Sequence, residues 1–252
     1  MPTVVCLFDL HYPKVHWTTF KLMLEFIKRN KVDEFIFGGD QFDNECISHH
    51  TRGKPYYRPR AAYLRDEHGF RDGILVPLER AIKSARRHWI VGNHDDWEFQ
   101  LVEENPELEG LIDRPRSLCL PERGWNVVPL GKGVRIGKLL VIHGEALTGI
   151  GNQGGLYPAR KAVEMYGCNV LAGHTHSPQS YTRVSPVDQT QKRMGHIAPI
   201  GGKTNPGYLR NKPNAWVNGF SIIETLANGN FSYYPIIVVG DSFRYGGKEY
   251  KV

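Results

Sequence analysis

The chain has 252 residues, of which 40% are hydrophobic and 23% are charged, and these fractions are ordinary for a globular protein with a full core. No apolar run approaches the length of a membrane span, so we expect no membrane partner. The formal charge of +6 and the pI near 9.1 fit a polyanionic partner but do not require one.

The cysteines and the first residues predict a reducing compartment. The cysteines are scattered and contain no Cys-x-x-Cys pair, and Cys6 lies in a predicted core strand, where it is expected to be a small buried hydrophobe. The apolar stretch at 4–8 is too short for the core of a signal peptide and runs directly into Asp9 and His11. We therefore expect a cytoplasmic protein.

Hydrophobic periodicity predicts an α/β chain. It begins with a strand, a helix with Phe20, Leu24 and Ile27 on one face, and a second strand, which together form a parallel crossover unit. The short strands between 126 and 142 are separated by glycines and are expected to be antiparallel. In chain order the predicted elements are strand 3–8, helix 17–29, strand 35–37, helix 73–87, strand 88–91, strands 126–129, 134–136 and 138–142, helix 156–166, strand 170–172, and two last strands, 219–225 and 231–239.

Three polar stretches interrupt this pattern. Residues 44–72 carry many basic and aromatic side chains and few aliphatic ones, which is typical of a surface loop or lid. Residues 97–122 carry several glutamates, Glu98 among them, and are predicted to be a partly helical, solvated excursion. Residues 181–215 are predicted to be a polar loop region. Since we find no internal repeat or linker, we predict a single domain over 1–252.

Five predicted strands end in residue types that bind metals. In open α/β sheets, ligands bind beyond the carboxyl ends of the strands, so these turns are expected to converge on one crevice. Taken singly, each turn is equally well explained as a helix cap, a sharp glycine turn or a hydrogen-bonded histidine. Together they predict a site of oxygen and nitrogen donors without thiolate. The turns are Asp9-Leu10-His11, Gly39-Asp40, Gly92-Asn93-His94-Asp95, His143-Gly144 and Gly173-His174-Thr175-His176.

The ordered set of these motifs, with Asp43 completing Gly-Asp-x-x-Asp, closely resembles the calcineurin-like metallophosphoesterase signature over residues 9–176. The resemblance implies an α/β fold, a four-layered αββα sandwich of two mixed β-sheets. It also implies two divalent metal ions at the strand ends, with Mn²⁺ as our first choice and Fe, Zn, Ni or Mg as alternatives. By the same resemblance Asp9, His11 and His176 hold one ion, Asn93, His143 and His174 hold the other, and Asp40 bridges the two.

The resemblance also assigns His94 and Asp43. His94 is expected to face the phosphate and to protonate the leaving oxygen as a general acid, and the Asp43 side chain is expected to hydrogen-bond His94 and fix its tautomer. Two cations that share a water lower its pKa toward neutrality and prepare it for in-line attack on phosphorus. Asp95 and Asp96 are open to two interpretations, either support of the ligands or helix capping, of which we prefer capping.

The basic insertion supplies candidate substrate-binding residues. The residues proposed to contact phosphate are His49, Arg52, Arg58 and Arg60, since basic side chains pair with phosphate through charge and, for arginine, through bidentate hydrogen bonds. The alternative is a solvated surface loop. The histidines that match no ligand motif are His16, His49, His50, His68, His88 and His196.

We therefore predict a metal-dependent phosphoesterase, most simply a phosphodiesterase, whose partner is a phosphate-ester substrate from the nucleic acids or nucleotides. The alternatives are a small-molecule phosphomonoesterase or pyrophosphatase, a protein phosphatase, and a non-catalytic metal-binding scaffold of the same fold. In the protein phosphatase branch an arginine follows the second aspartate of the Gly-Asp motif, whereas this chain has Asn44 there. A scaffold is expected to have lost ligands or the catalytic histidine, and this sequence keeps both. The oligomeric state is left open.

Overall fold

Two mixed β-sheets pack face to face, and helices cover their outer faces. The computed structural model describes residues 1–54, 59–148 and 156–252. Within these residues, one apolar cluster lies between the first sheet and its helices, a second lies between the two sheets, and a third lies between the second sheet and its helix. The predicted four-layered sandwich is therefore confirmed. None of the helices in the described ranges is long and apolar enough to cross a bilayer.

The helices are α1 (Trp17–Arg29), α2 (Pro59–Phe70), α3 (Val76–Ile82), α4 (Asn93–Glu104), α5 (Arg114–Ser117) and α6 (Pro158–Tyr166). The strands are β1 (Thr3–Leu7), β2 (Glu34–Phe37), β3 (Arg86–Ile90), β4 (Trp125–Val128), β5 (Gly133–Ile136), β6 (Leu139–Ile142), β7 (Asn169–Ala172), β8 (Gln179–Val184), β9 (Lys192–Ile197), β10 (Gly219–Thr225), β11 (Phe231–Ile237), β12 (Ser242–Tyr245) and β13 (Lys248–Lys251).

The first sheet has the strand order β11-β10-β1-β2-β3-β4, and the second has the order β5-β6-β7-β9-β8. β1 to β4 are parallel to one another, as are β6, β7 and β9, while β10, β11, β5 and β8 run antiparallel to their neighbours. The parallel strands of each sheet therefore end at one edge, where the polar turns lie.

β1 shows why the central strands are continuous apolar runs. Val5 and Leu7 face α1 and the helical layer, whereas Val4 and Cys6 face the second sheet. A strand covered on both faces needs apolar side chains at every position rather than at alternate ones. The prediction that Cys6 is a buried core residue is confirmed.

The basic insertion contains more helix than predicted. α2 begins at Pro59 and continues through a π-helical turn, Arg71–Leu75, into α3. The wider turn lies just before Pro77, whose ring would collide with the preceding turn of a regular helix. Tyr63 and Phe70 are fully buried, so the second half of this segment belongs to the core, and the prediction of a surface loop up to residue 72 is wrong.

Two hairpins and one strand direction also differ from the predictions. β5 and β6 form the antiparallel pair that was expected, whereas β4 joins the other sheet and pairs parallel to β3, because α4 and α5 form a crossover between them. β9 and most of β8 lie inside the stretch predicted to be a polar loop; β8 is an edge strand that is largely exposed and lacks an apolar face. The chain also continues past β11 into the hairpin β12–β13, whose turn residues Gly246 and Gly247 both have positive φ.

Candidate metal centre

The polar strand ends of both sheets meet at one place. The loops after β1 and β2 and the start of α4, which directly follows β3, come from the first sheet, and the turns after β6 and β7 come from the second. The described residues contain three groups of possible ligands, and within each group the ligand atoms all lie within 4.8 Å of one another. These groups are Asp9, His11 and His176; His11, Asp40 and His94; and Asp40, His143 and His174.

The first group is held between the loop after β1 and the turn after β7. His176 Nε2 lies 3.2 Å from Asp9 Oδ1 and 3.3 Å from His11 Nε2. All three side chains are buried. These are the residues predicted to hold one of the two metal ions.

The three residues predicted to hold the other metal ion also lie close together. His143 Nε2 lies 2.9 Å from Asn93 Oδ1 and 3.3 Å from His174 Nδ1. Asp40 lies between the two sets, with Oδ1 3.4 Å from His143 Nε2 and Oδ2 3.9 Å from His11 Nε2. One carboxylate thus faces both sets, as a bridging ligand must.

The spacing of the donors fits divalent cations. Two imidazole nitrogens that face each other at 3.3 Å repel through their lone pairs unless a proton or a cation lies between them. With metal–nitrogen bonds of about 2.0–2.1 Å, neighbouring ligand atoms in tetrahedral or octahedral geometry are separated by about 3.0–3.4 Å. The donors are nitrogen and oxygen only, which suits Mn²⁺, Fe²⁺, Zn²⁺ or Ni²⁺.

Backbone strain is concentrated at this site. Ten non-glycine residues in the described ranges have positive φ, and six of them belong to the site: Asp9, His11, Asp40, Asn44, His174 and His176. Left-handed backbone is costly for most side chains and persists where the surroundings enforce it. Two glycines allow the donors to approach: a Cβ on Gly39 would meet His143 Nδ1 at 2.2 Å, and one on Gly92 would meet Asp40 Oδ1 at 2.2 Å.

The charges at the site hold three of the donors in their binding forms. Burial and the nearby His94 ring keep the pKa of His11 well below its usual value, and burial and the His143 ring lower the pKa of His174 to about 4. Burial alone would raise the pKa of the Asp40 carboxyl, but the His143 and His94 rings hold it well below its usual value. A charged Asp40 and neutral His11 and His174 are the forms that ligate metal. Burial alone would lower the pKa of the His143 ring, but the Asp40 carboxylate raises it to about 10, so this ring must lose a proton when it binds metal.

His94 lies at the junction of the two sets. Its Nδ1 donates a 2.8 Å hydrogen bond to the main-chain carbonyl of Asp43, and its backbone N donates to Asp40 Oδ1 at 2.9 Å. Its ring lies against Trp97, with the ring centroids 4.1 Å apart. Because Nδ1 is engaged as a donor, Nε2 is the nitrogen left to act in the site.

The prediction that the Asp43 side chain hydrogen-bonds His94 is wrong, because the main-chain carbonyl takes that bond. The Asp43 carboxylate instead accepts from Lys14 Nζ at 2.6 Å, and Lys14 also reaches Glu45 at 2.9 Å. The other Asp43 oxygen lies 3.6 Å from His11 Nδ1. The carboxylate is drawn to Lys14 because a buried charge is most stable against an opposite charge.

Asp95 combines the two roles considered for it. It lies in the first turn of α4, where its carboxylate accepts from the backbone N of Gly92 at 2.9 Å and so caps the start of the helix. It also accepts from the backbone N of Gln41 and Phe42, at 3.4 and 3.2 Å, and so ties the Asp40 loop to the helix. Burial and the Asp40 charge raise the pKa of Asp95 to about 7.

The structure describes the side chains of only two of the four predicted substrate-binding residues, His49 and Arg52. Arg52 forms an exposed ion pair with Glu104 and, with His49, lies along the side of α4. Arg58 lies outside the described residues, and Arg60 is described only as part of the α2 backbone.

A cavity of about 400 Å³ adjoins the site, lined by Asp43, Glu45, Ser48, His50, Thr51, Lys54, Asn93, His94 and Trp97. A larger cavity of about 470 Å³ lies beside α4 and the 109–115 segment, lined mainly by apolar side chains and by none of the predicted metal ligands.

Sequence reasoning missed several residues that support the site. Lys14, Trp97 and Arg114 belong to none of the sequence motifs. Glu98 does have a local signal, because it follows His94 by four residues, which is about one helical turn along α4. Glu98 was predicted to be solvated, but it is buried and paired with Arg114 at 2.7 Å. Of the histidines that match no ligand motif, none lies in the three groups of described ligand atoms.

A family model described as calcineurin-like phosphoesterase matches residues 3–178, a range that contains every predicted metal ligand. The family binds divalent metals, in agreement with the donor groups at the strand ends. None of the curated proteins compared with the chain matches it significantly.

Solved structures resemble the chain at low identity. Vps29 from Entamoeba histolytica, complexed with Zn²⁺, is 13% identical with a TM-score of 0.47, and the match covers 94% of this chain and 93% of that one. A metallophosphoesterase from Sphaerobacter thermophilus is 18% identical, with a TM-score of 0.44 and coverage of 88% and 82%. A dimetal phosphatase from Danio rerio is 10% identical, with a TM-score of 0.39 and coverage of 88% and 92%.

Proposed function

Because this chain belongs to the calcineurin-like phosphoesterase family, we propose that it is a metal-dependent phosphodiesterase that acts on nucleic acid or nucleotides. The observation that carries the proposal is the position of Asp40 between two sets of donors, with His94 beside it. Asp9, His11 and His176 would hold one divalent ion, Asn93, His143 and His174 the other, and Asp40 both. Mn²⁺ is our first choice for both ions.

When bound, such a pair of ions neutralises phosphoryl charge and activates water. The remaining tasks belong to the chain itself. His94, held at Nδ1 by the Asp43 carbonyl, offers Nε2 to the leaving oxygen, and a protonated ring can deliver a proton there. The Trp97 ring covers one side of His94 and restricts the positions that its imidazole can adopt.

The cavity beside His94 supports a nucleotide-like substrate. Asp43 and Glu45 line it, and Lys14 pairs with both carboxylates and offsets one of their two negative charges. The rest of the lining includes the ammonium group of Lys54 and the aromatic rings of His50 and Trp97. Basic and aromatic side chains together suit a phosphate that carries an unstacked base. We therefore propose Lys54 and His50, rather than Arg52, as contacts for the substrate phosphate.

The test is a substrate panel run after chelator treatment, with Mn²⁺, Mg²⁺, Zn²⁺, Fe²⁺ or Ni²⁺ added back. The panel contains nitrophenyl phosphate, bis-nitrophenyl phosphate, and single- and double-stranded oligonucleotides. We expect metal-restored turnover of the diester and of single strands. Turnover of the monoester alone would establish a phosphomonoesterase, and bound metal without any turnover would establish a scaffold.

A matched pair of lysine variants tests the cavity. Lys54→Gln should raise KM for single-stranded oligonucleotides and reduce the slope of log affinity against log salt by about 0.7, the value for one lost phosphate contact. Lys248→Gln removes the same charge on the exposed strand β13, away from the turns that form the candidate metal centre, and should change neither quantity. Equal behaviour of the two variants would count against the cavity as the binding site.

A further inference from the structure

Three buried polar side chains form a network behind His94. Arg114 is 1% exposed, and its Nη1 donates to Glu98 Oε1 at 2.7 Å and also to Asn44 Oδ1. Its guanidinium lies between two aromatic rings, 3.8 Å from the Phe42 centroid and 3.9 Å from the Tyr63 centroid. The group is thus fixed in orientation by a carboxylate, an amide and two ring faces.

Asn44 connects this network to His94. Its Nδ2 donates a 2.8 Å hydrogen bond to the His94 carbonyl, while its Oδ1 accepts from Arg114. These two contacts fix which end of the amide is oxygen, since arginine only donates and a carbonyl only accepts. The Asn44 side chain therefore transmits the position of Arg114 to the first turn of α4.

The same residue also orients the acceptor for the His94 ring. The Asp43 carbonyl that accepts from His94 Nδ1 belongs to the peptide between Asp43 and Asn44. Asn44 has φ of 51°, so this peptide is turned by a left-handed residue whose side chain Arg114 holds in place. Asparagine adopts this conformation more readily than most residues. His94 is consequently fastened at both its main-chain carbonyl and its ring.

Stability alone does not account for such a network. Removing an arginine and a carboxylate from water costs several kcal/mol, and well-packed apolar residues often replace buried ion pairs without loss of stability. What an ion pair supplies and apolar packing does not is directional hydrogen bonding. Here those directions lead to His94.

We propose that Arg114 is a positioning residue that acts through Asn44 to hold His94 as the Nδ1–H tautomer, with Nε2 available to the leaving oxygen. The catalytic consequence rests on the proposed function, whereas the tautomer is a property of the chain itself. Arg114 comes from α5, 20 residues after His94, and touches neither the donor groups nor the cavity beside His94.

The variants are chosen to spare the fold. Asn44→Gly removes the side-chain hydrogen bonds to His94, Glu98 and Arg114 but keeps the left-handed backbone, and its carbonyl still accepts from Ile47 and Ser48. Asn44→Asp keeps the oxygen that faces Arg114 but replaces the amide that donates to the His94 carbonyl and to Glu98 with a second oxygen. Arg114→Lys is the conservative variant at the other end. Arg123→Gln, which breaks the Arg123–Glu79 pair of 2.8 Å at the far end of β3 and β4, is the matched control.

Nitrogen NMR of the chelated protein at pH 8 reads the tautomer directly, and the kinetics of the Zn²⁺-loaded protein read its consequence. We expect Nδ1–H in the wild type and in Arg123→Gln, mixed tautomers in Asn44→Gly, and an intermediate state in Asn44→Asp and Arg114→Lys. In Asn44→Gly, kcat should fall roughly 10–100-fold for an alkyl leaving group and only a few-fold for nitrophenolate, because a misplaced donor matters most where protonation is needed.

Two results would overturn the proposal. One is an unchanged Nδ1–H tautomer in Asn44→Gly, and the other is an equal loss of kcat for both leaving groups, which is the signature of a merely structural role. Should the wild type hydrolyse no ester at all, the proposed function fails, and the NMR comparison still decides whether Asn44 positions His94. Should Arg114→Lys fail to fold, the two Asn44 variants carry the test.

Discussion

His94 is held through the main chain of Asp43, since its Nδ1 donates to the Asp43 carbonyl at 2.8 Å while the Asp43 carboxylate lies against Lys14 at 2.6 Å. The two ends of Asp43 therefore serve different partners. The carbonyl orients the proposed proton donor. The carboxylate lies 3.6 Å from His11 Nδ1, on the side of that ring away from His176, and so belongs to the surroundings of a proposed metal ligand.

Asp43→Asn should accordingly weaken metal binding and leave proton donation intact. The variant keeps the carbonyl but removes the negative charge beside His11, and the loss of a carboxylate behind a histidine ligand lowers metal affinity by about 10–100-fold. Competition with a chelator measures this affinity. At saturating metal, the ratio of kcat for alkyl and nitrophenyl diesters should match that of the wild type. A selective loss on the alkyl diester would place the carboxylate in proton donation after all.

His94→Ala should keep its metal and lose turnover. A general acid contributes typically about 10²–10⁴-fold to kcat, and the loss should be smallest for nitrophenolate, which needs little protonation. The measurement is elemental analysis alongside steady-state kinetics. His94 also has a ring nitrogen within 4.8 Å of ligand atoms of His11 and Asp40, so a metal-free variant would assign it to the ligands instead.

Asp40→Ala should lose both metal ions and nearly all activity together. Asp40 is the carboxylate that faces both donor sets. Without it, no shared negative charge offsets the repulsion between two neighbouring cations. Metal content by elemental analysis is the readout. Asp96→Ala serves as the control, since Asp96 lies in the first turn of α4, close to the site, but its carboxylate accepts only from Gln100 among the described contacts. Two tightly held metal equivalents in Asp40→Ala would remove Asp40 from the bridging role.

His196 should make the fold sensitive to acid independently of the metal centre. Burial lowers the pKa of His196 to about 4, against 6.5 as the ordinary value. The unfolded chain therefore takes up a proton below about pH 6.5 that the folded chain refuses until about pH 4, and stability falls as the pH drops through this window.

In the chelated protein this proton uptake should cost about 2–3 kcal/mol between pH 7 and 4.5. His196→Phe, which can still pack on Tyr233, should lose that much less stability over the same range in urea unfolding. His68→Phe is the control, because that histidine lies on the exposed side of α2. An equal acid sensitivity of wild type and His196→Phe would mean that His196 carries a proton in the fold well above pH 4.

The sequence by itself determined the sheet-end site. Asp9, Asp40, Asn93 and His143 each follow an apolar run. Strand periodicity and glycine turns are local patterns, so they can be recognised in the sequence without knowing which residues pack against them. The ends of parallel strands meet at one edge, so the convergence of these residues followed from the predicted α/β arrangement alone. The family resemblance supplied the pairing of donors into two sets.

Elements with weak local patterns were decided by tertiary contacts. β8 is an edge strand with little apolar surface, and α2 is anchored by Tyr63 and Phe70, which stand among basic residues that suggest a loop. A polar edge strand is stabilised by hydrogen bonds to its neighbour, and those bonds leave no trace in its own periodicity.

Only the tertiary structure could decide what holds His94. The atoms that fix it are a main-chain carbonyl of Asp43 and an amide of Asn44, and the charge that orients the amide comes from Arg114, 70 positions along the chain. A motif identifies residues, but it does not show which of a residue's polar groups makes a bond. From the sequence alone, Arg114 and Glu98 are expected on the surface, because charged residues are rarely buried. Their burial depends on their pairing with each other and on the two aromatic rings that enclose Arg114.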